Sequence, residues 1–341
     1  MVNEFVNKYI ANPKHLMNIT LEITSECNLR CCHCYVCDRF SNQDCQILSL
    51  STIEKIIDEA FDLNAITVCL TGGEPMSHPG FIDIIKMIKS KGFVLFLKTN
   101  GTLINTENIE YLKTYIDGIT LSRYGFTAKT YENVTGIKHS YERYCNAIDL
   151  LKKYRIPYKE NAILLKENEL ELDQFLISNM KIEHYISEHK DSPYAARHRP
   201  SDAALHKYYY EYFKKEGMDL PEIFSGSINE KAVCNCGTCS LTINPNGDVV
   251  PCTNFNYTLG NIPSQSLKSI WGSDKKTYLS MSCKASAFDK CSHCNKNRYL
   301  LSIAPCNNFT ETGDINDVSA EMCRHCRIVE EVYNELISEH M

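Results

Sequence analysis

The chain has 341 residues, 43% of them hydrophobic, and a formal net charge of −6, so it can bury a full core and form more than one domain. It has no Lys/Arg-rich run and no block of like charge, which argues against nucleic acid as a partner. No basic stretch leads into an apolar segment at the start and no run is long enough to span a bilayer, so a soluble, cytoplasmic protein without a membrane partner is expected.

Eighteen cysteines stand out. A reducing cytosol keeps thiols free, so metal ligation is expected rather than a disulfide framework. Seven lie before residue 70, one is Cys145, and ten fall between Cys234 and Cys326, so two metal-bearing regions flank a cysteine-poor stretch.

In chain order, the first strand-like run is 18–24, with Ile19, Leu21 and Ile23 alternating. It stops just before Cys27-Asn28-Leu29-Arg30-Cys31-Cys32-His33-Cys34-Tyr35. Iron–sulfur clusters are normally held by four cysteines, so a C-x3-C-x2-C set leaves one iron open to another ligand. On spacing alone, a closed zinc site from Cys27, Cys31, Cys34 and Cys37 is the alternative. A helix is predicted near 51–63, with Ser51 and Glu54 as a capping box. Further strands are predicted at 66–71, 93–99, 117–122, 158–165 and 181–187, and a helix at 140–154 with Tyr141, Tyr144, Ile148 and Leu151 on one face.

Strands alternating with helices imply parallel strands joined by right-handed crossovers, and six such units suggest an open, partial (β/α)6 barrel. The cysteine loop follows the first strand, Gly72-Gly73-Glu74-Pro75 the second and Thr99-Asn100-Gly101 the third, while Ser122 ends the fourth. Parallel α/β sheets and barrels bind ligands at these carboxyl ends. The expected barrel is 1–187, followed by a connector at 188–231 whose Tyr-rich helix near 201–215 packs on the barrel edge. From 232 to 341 a second domain of short cysteine-bearing turns is expected.

The cysteine loop and Gly72-Gly73-Glu74-Pro75 together resemble the radical S-adenosylmethionine (SAM) superfamily. The resemblance implies a [4Fe–4S] cluster on Cys27, Cys31 and Cys34 whose open iron chelates SAM. It puts the backbone of Gly72, Gly73 and Pro75 and the Glu74 carboxylate at the methionyl amine. Thr99 and Asn100 would lie near SAM, Ser122 at a ribose hydroxyl and Tyr35 beside the adenine. Tyr124-Gly125 through Thr135-Gly136 and on to Asn168 is similar to the peptide-modifying branch, which includes the pyrroloquinoline-quinone maturase and the anaerobic sulfatase maturases.

The later cysteines, with Asn244-Pro245-Asn246-Gly247-Asp248 leading to Cys252 and with Leu259-Gly260-Asn261-Ile262 before Ile270-Trp271, look like a SPASM domain. That extension usually binds two auxiliary [4Fe–4S] clusters. The likeness implies Cys234, Cys239, Cys252 and Cys306 for one, and Cys291, Cys294, Cys323 and Cys326 for the other, with Cys236 and Cys283 as alternates. One departure is that Leu300 stands where the pattern expects a cysteine; a small shift aligns Ser302-x3-Cys306 with the expected pair and leaves Ser302 in place of a thiolate, which Cys323-x2-Cys326 could replace. Zinc sites built from the same pairs are the alternative.

The resemblance implies an oxidoreductase that cleaves SAM to a 5′-deoxyadenosyl radical and cross-links or otherwise oxidises a ribosomally made peptide. A reductant such as flavodoxin or ferredoxin is its implied partner. Small-molecule chemistry, as on a tetrapyrrole side chain, is the runner-up, and a non-enzymatic electron carrier or zinc protein the rival of another class. The first strand begins near residue 18, so a separate leader-binding protein, or recognition by the barrel mouth and connector, is expected.

Overall fold

The computed structural model describes residues 15–34, 45–184, 195–216, 220–224, 237–276, 289–301 and 305–339. Tyr35, Cys37, Cys234, Cys236, Cys283 and Ser302 lie outside the described residues. The chain folds as two compact units, one from the described residues up to Asn161 with those of Asn235–Leu279, the other from Ala162–Cys234 and Ser280–Met341. These units divide the chain differently from the composition shifts at 187 and 231.

All six expected strands are present: β1 Asn18–Glu22, β2 Thr67–Thr71, β3 Val94–Thr99, β4 Gly118–Arg123, β5 Tyr158–Ile163 and β6 Lys181–Glu183. In the first unit the strand order is β5-β4-β3-β2-β1-β7-β8-β9, with β7 Ser240–Ile243, β8 Asp248–Val250 and β9 Gly260–Asn261. β1 to β4 pair in parallel, and β7 also runs parallel to β1, with Asn18 opposite Ser240. The SPASM-like hairpin thus extends the sheet of the first cysteine loop. Its turn is closed by Asn244, whose Oδ1 accepts the N–H groups of Asn246 and Asp248 at 3.0 Å each.

Helices α1 Leu50–Asp62, α2 Phe81–Ser90, α3 Ile109–Tyr115, α4 Ala128–Thr135 and α5 Ser140–Tyr154 belong to this unit. Ile53, Ile56 and Ile57 of α1 and Ile84, Ile85 and Ile88 of α2 are fully buried, as are Leu21, Val68, Leu70, Leu95 and Leu97 of the strands. The capping box at Ser51 and Glu54 is not found. Ser49 is the N-cap and accepts the Thr52 N–H at 3.1 Å, because the helix starts earlier than its apolar pattern.

The second unit carries β6, α6 Leu172–Ile177, α7 Asp202–Glu216, α8 Pro305–Thr312 and α9 Ala320–Glu339. The 20-residue α9 was not expected in a region read as turns. It packs along the Tyr-rich α7: Tyr209 Oη meets His325 Nδ1 at 2.7 Å, and Arg324 Nε reaches Asp202 Oδ1 at 2.7 Å. No helix among the described residues is long and apolar enough to cross a membrane.

Candidate active site and cluster-binding loops

The candidate site sits where β1, β2, β3 and β4 end. Beyond β1 the backbone runs on to Cys27 and is flanked by the turn after β2. Gly73 N–H donates to Thr24 O at 2.8 Å and Glu74 N–H to Glu26 O at 2.7 Å. Only glycine permits this approach: a Cβ on Gly73 would stand 2.2 Å from Glu26 O, and one on Gly72, whose φ is +135°, 2.4 Å from Thr24 O. The two motifs singled out in the sequence are therefore laced together by backbone hydrogen bonds.

Glu74 is completely buried. Its Oε1 accepts the Met76 N–H at 3.1 Å and the Thr99 hydroxyl at 2.8 Å, and its Oε2 accepts the Asn100 N–H at 2.9 Å. Burial raises its pKa to about 7, although these three donors pull it down. Asn100 carries the link onward, its Nδ2 donating to Asn28 Oδ1 at 3.0 Å and standing 3.8 Å from Cys27 Sγ. Asn28 Nδ2 in turn donates to Thr102 Oγ1 at 2.7 Å. Thr99 and Asn100 thus hold the cysteine loop and the Glu74 turn together.

A second anchor comes from α4. Arg30 N–H donates to Thr135 O at 2.8 Å and Cys32 N–H to Val134 O at 2.9 Å. Gly136, at φ +68°, lets Arg30 O pass where a Cβ would approach to 2.9 Å. Half-buried Tyr124 completes the frame, lying beside the Cys31 thiol and Ser122. Sequence reasoning did not assign Asn28, Arg30 or Tyr124 to the site.

Arg123, at the end of β4, was also missed. Its Nε pairs with Glu160 Oε1 at 2.6 Å, the Tyr144 hydroxyl donates to the same oxygen, and the guanidinium lies 4.6 Å from the Phe126 ring centroid. This pair locks β4 to β5 behind Ser122.

Burial raises the Cys27 thiol to about 11, and neighbouring Glu74 and Cys34 add to the rise. Cys31 is pushed well above the ordinary thiol range by burial, then by Cys34 and Cys27. Three thiols that oppose one another's ionisation fit a cationic metal centre, which needs all three as thiolates. Glycines that admit no side chain beside them fit a ligand held by backbone.

The second unit brings together Cys291, Cys294, Cys323 and Cys326. Burial raises Cys326 to about 12, with Cys294, Cys323 and Cys291 adding, and raises Cys291 to about 11, with Cys323 and Cys294 adding. Cys323 and Cys326 are one turn apart on α9. Four mutually interacting thiols are the donor set of a [4Fe–4S] cluster or a closed zinc site. Of the other expected set, Cys239 and Cys252 lie in the first unit and Cys306 in the second.

Residues 21–176 match the model of the Radical SAM superfamily, and residues 234–295 that of the SPASM iron–sulfur cluster-binding domain. The antilisterial bacteriocin subtilosin biosynthesis protein AlbA of Bacillus subtilis is 30% identical over 271 residues, covering 75% of this chain; this chain spans 60% of the length of that protein. The AdoMet-dependent heme synthase of Methanosarcina barkeri is 26% identical over 289 residues, 74% of this chain and 81% of that one. The fold is shared with anSMEcpe solved with bound AdoMet and Cp18Cys peptide, at a TM-score of 0.70 and 17% identity, over 95% of this chain and 98% of that chain. SAM, a [4Fe–4S] cluster and auxiliary clusters are the cofactors of these two domains. The chain thus carries a radical SAM domain over residues 21–176 and a SPASM domain over residues 234–295.

Proposed function

We propose that this protein oxidatively modifies a peptide, forming a carbon–carbon or thioether cross-link or a related oxidation in a ribosomally made precursor. The observation that carries the radical chemistry of this reading is the backbone lacing of Gly73 and Glu74 to Thr24 and Glu26, which joins a three-thiol loop to a glycine cradle. In it, Cys27, Cys31 and Cys34 hold the cluster and leave one coordination position for SAM. Gly72, Gly73 and Pro75 present backbone to the methionyl group, while Glu74, Thr99 and Asn100 fix that turn against the cysteine loop. Ser122 stands at the ribose side, and Tyr124 lies beside Cys31.

Held there, a reduced cluster with SAM would supply a 5′-deoxyadenosyl radical able to take one hydrogen atom from the substrate. Cross-linking removes a second hydrogen as a proton and an electron, and that electron needs an acceptor. An auxiliary [4Fe–4S] cluster, which Cys291, Cys294, Cys323 and Cys326 would hold, would be that acceptor. The bacteriocin-biosynthesis relative favours a peptide substrate. The heme synthase, of which this chain covers 81%, favours the second reading, chemistry on a tetrapyrrole side chain.

The test incubates the anaerobically reconstituted protein with SAM and dithionite, alone and with a peptide encoded beside its gene. The peptide reading predicts 5′-deoxyadenosine and a peptide lighter by two hydrogens. If 5′-deoxyadenosine forms and a tetrapyrrole, not the peptide, is changed, the second reading holds.

A further inference from the structure

The two faces of the first unit's sheet differ in burial among the described residues. Ile19, Leu21, Val68, Leu70, Leu95, Leu97, Ile119 and Leu121 are buried on one, and side chains alternate along a strand. Thr20, Cys69, Phe96, Lys98 and Thr120 therefore share the opposite, half-buried to exposed face, in a register that sets Cys69 beside Phe96, Phe96 beside Gly118 and Lys98 beside Thr120. Phe96 is 41% exposed on a central strand. Gly118 makes room for its ring, since a Cβ there would touch two ring carbons at 3.2 Å.

Two cations stand on this face. Lys98 of β3 and Lys159 of β5 are exposed, and neither forms an ion pair among the described residues. Lys98 lies beside Thr120 of β4, and Ile119 N–H donates to Pro157 O at 3.0 Å, which keys β5 to β4 two residues before Lys159; both cations are near enough to the Cys69 thiol to draw its pKa down against burial. With β4 between them, the two strands are about 9–10 Å apart, a span that two lysine side chains close readily over one small anion. Unneutralised like charges on a shared face repel, and an anion between them relieves that repulsion. Lys98 lies on β3 two residues before Asn100, which follows the strand's end, about 7 Å below the candidate SAM site.

We propose that Lys98 and Lys159 form a carboxylate-binding subsite that grips an Asp or Glu side chain of the substrate peptide, with Phe96 as the apolar floor beside it. The peptide source rests on the function proposed above, whereas the carboxylate chemistry rests on the two lysines alone.

The test is calorimetric titration of the reconstituted full chain at low ionic strength with the blocked peptide Gly-Glu-Phe-Gly and its Gly-Gln-Phe-Gly counterpart. The Glu peptide is expected to bind at least about tenfold more tightly. Lys98→Gln with Lys159→Gln should abolish that preference, and Lys98→Arg with Lys159→Arg should restore most of it. Glutarate is titrated in parallel. If glutarate binds in a lysine-dependent way and the Glu peptide does not, the carboxylate subsite stands and the peptide source falls. Equal binding of both peptides with no lysine-dependent binding of glutarate, or a loss in the Gln variants confined to SAM affinity, overturns the subsite.

Discussion

Glu74 and Asn100 are bound carboxylate to backbone, Oε2 accepting the Asn100 N–H at 2.9 Å, with no solvent reaching the acid. All three groups on this carboxylate are donors, so a glutamine amide there satisfies two of them at most and turns its NH2 toward the third. Glu74→Gln should loosen the turn, weakening SAM binding at least about tenfold while costing about 1–3 kcal/mol of stability. Calorimetry with SAM and a denaturation curve check both.

The same carboxyl makes stability depend on pH. Its folded pKa, about 7, is raised from the ordinary value of 4.5 by burial. The folded state therefore holds more protons between those two values, and stability falls as pH rises through that window. Wild type should lose about 3 kcal/mol relative to Glu74→Gln between pH 4.5 and 8. Parallel urea titrations of the metal-free proteins measure the difference, and an equal pH dependence in the two proteins would contradict the raised pKa of the buried acid.

Gly73→Ala places a Cβ 2.2 Å from Glu26 O. Backbone meets backbone there, so no side-chain rotation relieves the clash and the turn must part from the cysteine loop. SAM affinity should drop by more than about tenfold. Gly92→Ala, where a Cβ meets nothing within 4 Å, is the control for adding a methyl group away from the site without a clash.

Arg123 and Glu160 form a half-hidden pair, the two side chains 13% and 21% exposed. Arg123→Met leaves the carboxylate without its cation and should cost about 3 kcal/mol. Adding Glu160→Gln should recover part of that loss, because the remaining buried charge is removed. A double-mutant cycle of thermal melts reads the coupling.

What was legible in the sequence was local. Cys27, Cys31 and Cys34 lie within eight residues, Gly72 to Pro75 within four, and both fall where an apolar run ends. The partners that build the site around them are distant in sequence. Arg30 is held by Thr135 and Asn28 by Asn100, Cys31 lies beside Tyr124, and ordinary residue types at such separations carry no pattern. The pairing of β7 with β1 joins Asn18 to Ser240, a contact that periodicity cannot announce. Helix α9 was hidden because Cys323 and Cys326 drew attention to metal spacing, though Ile328, Val329, Val332 and Leu336 are its buried stripe.

Cys326→Ala should remove the iron held by the second unit's four thiols. Reconstituted protein should fall from about twelve to about eight iron atoms per chain, with lower product yield. Unchanged iron content and yield would show that α9 supplies no ligand.

The central claim is that Cys27, Cys31 and Cys34 hold an iron–sulfur cluster that acts on SAM. Its most direct test is iron, zinc and sulfide content together with 5′-deoxyadenosine formation, in wild type and in the triple variant Cys27→Ala, Cys31→Ala, Cys34→Ala. The account predicts about twelve iron and twelve sulfide in wild type, about eight of each in the variant, and no 5′-deoxyadenosine from the variant. Stoichiometric zinc with little iron in anaerobically prepared wild type, or 5′-deoxyadenosine from the triple variant, would contradict it.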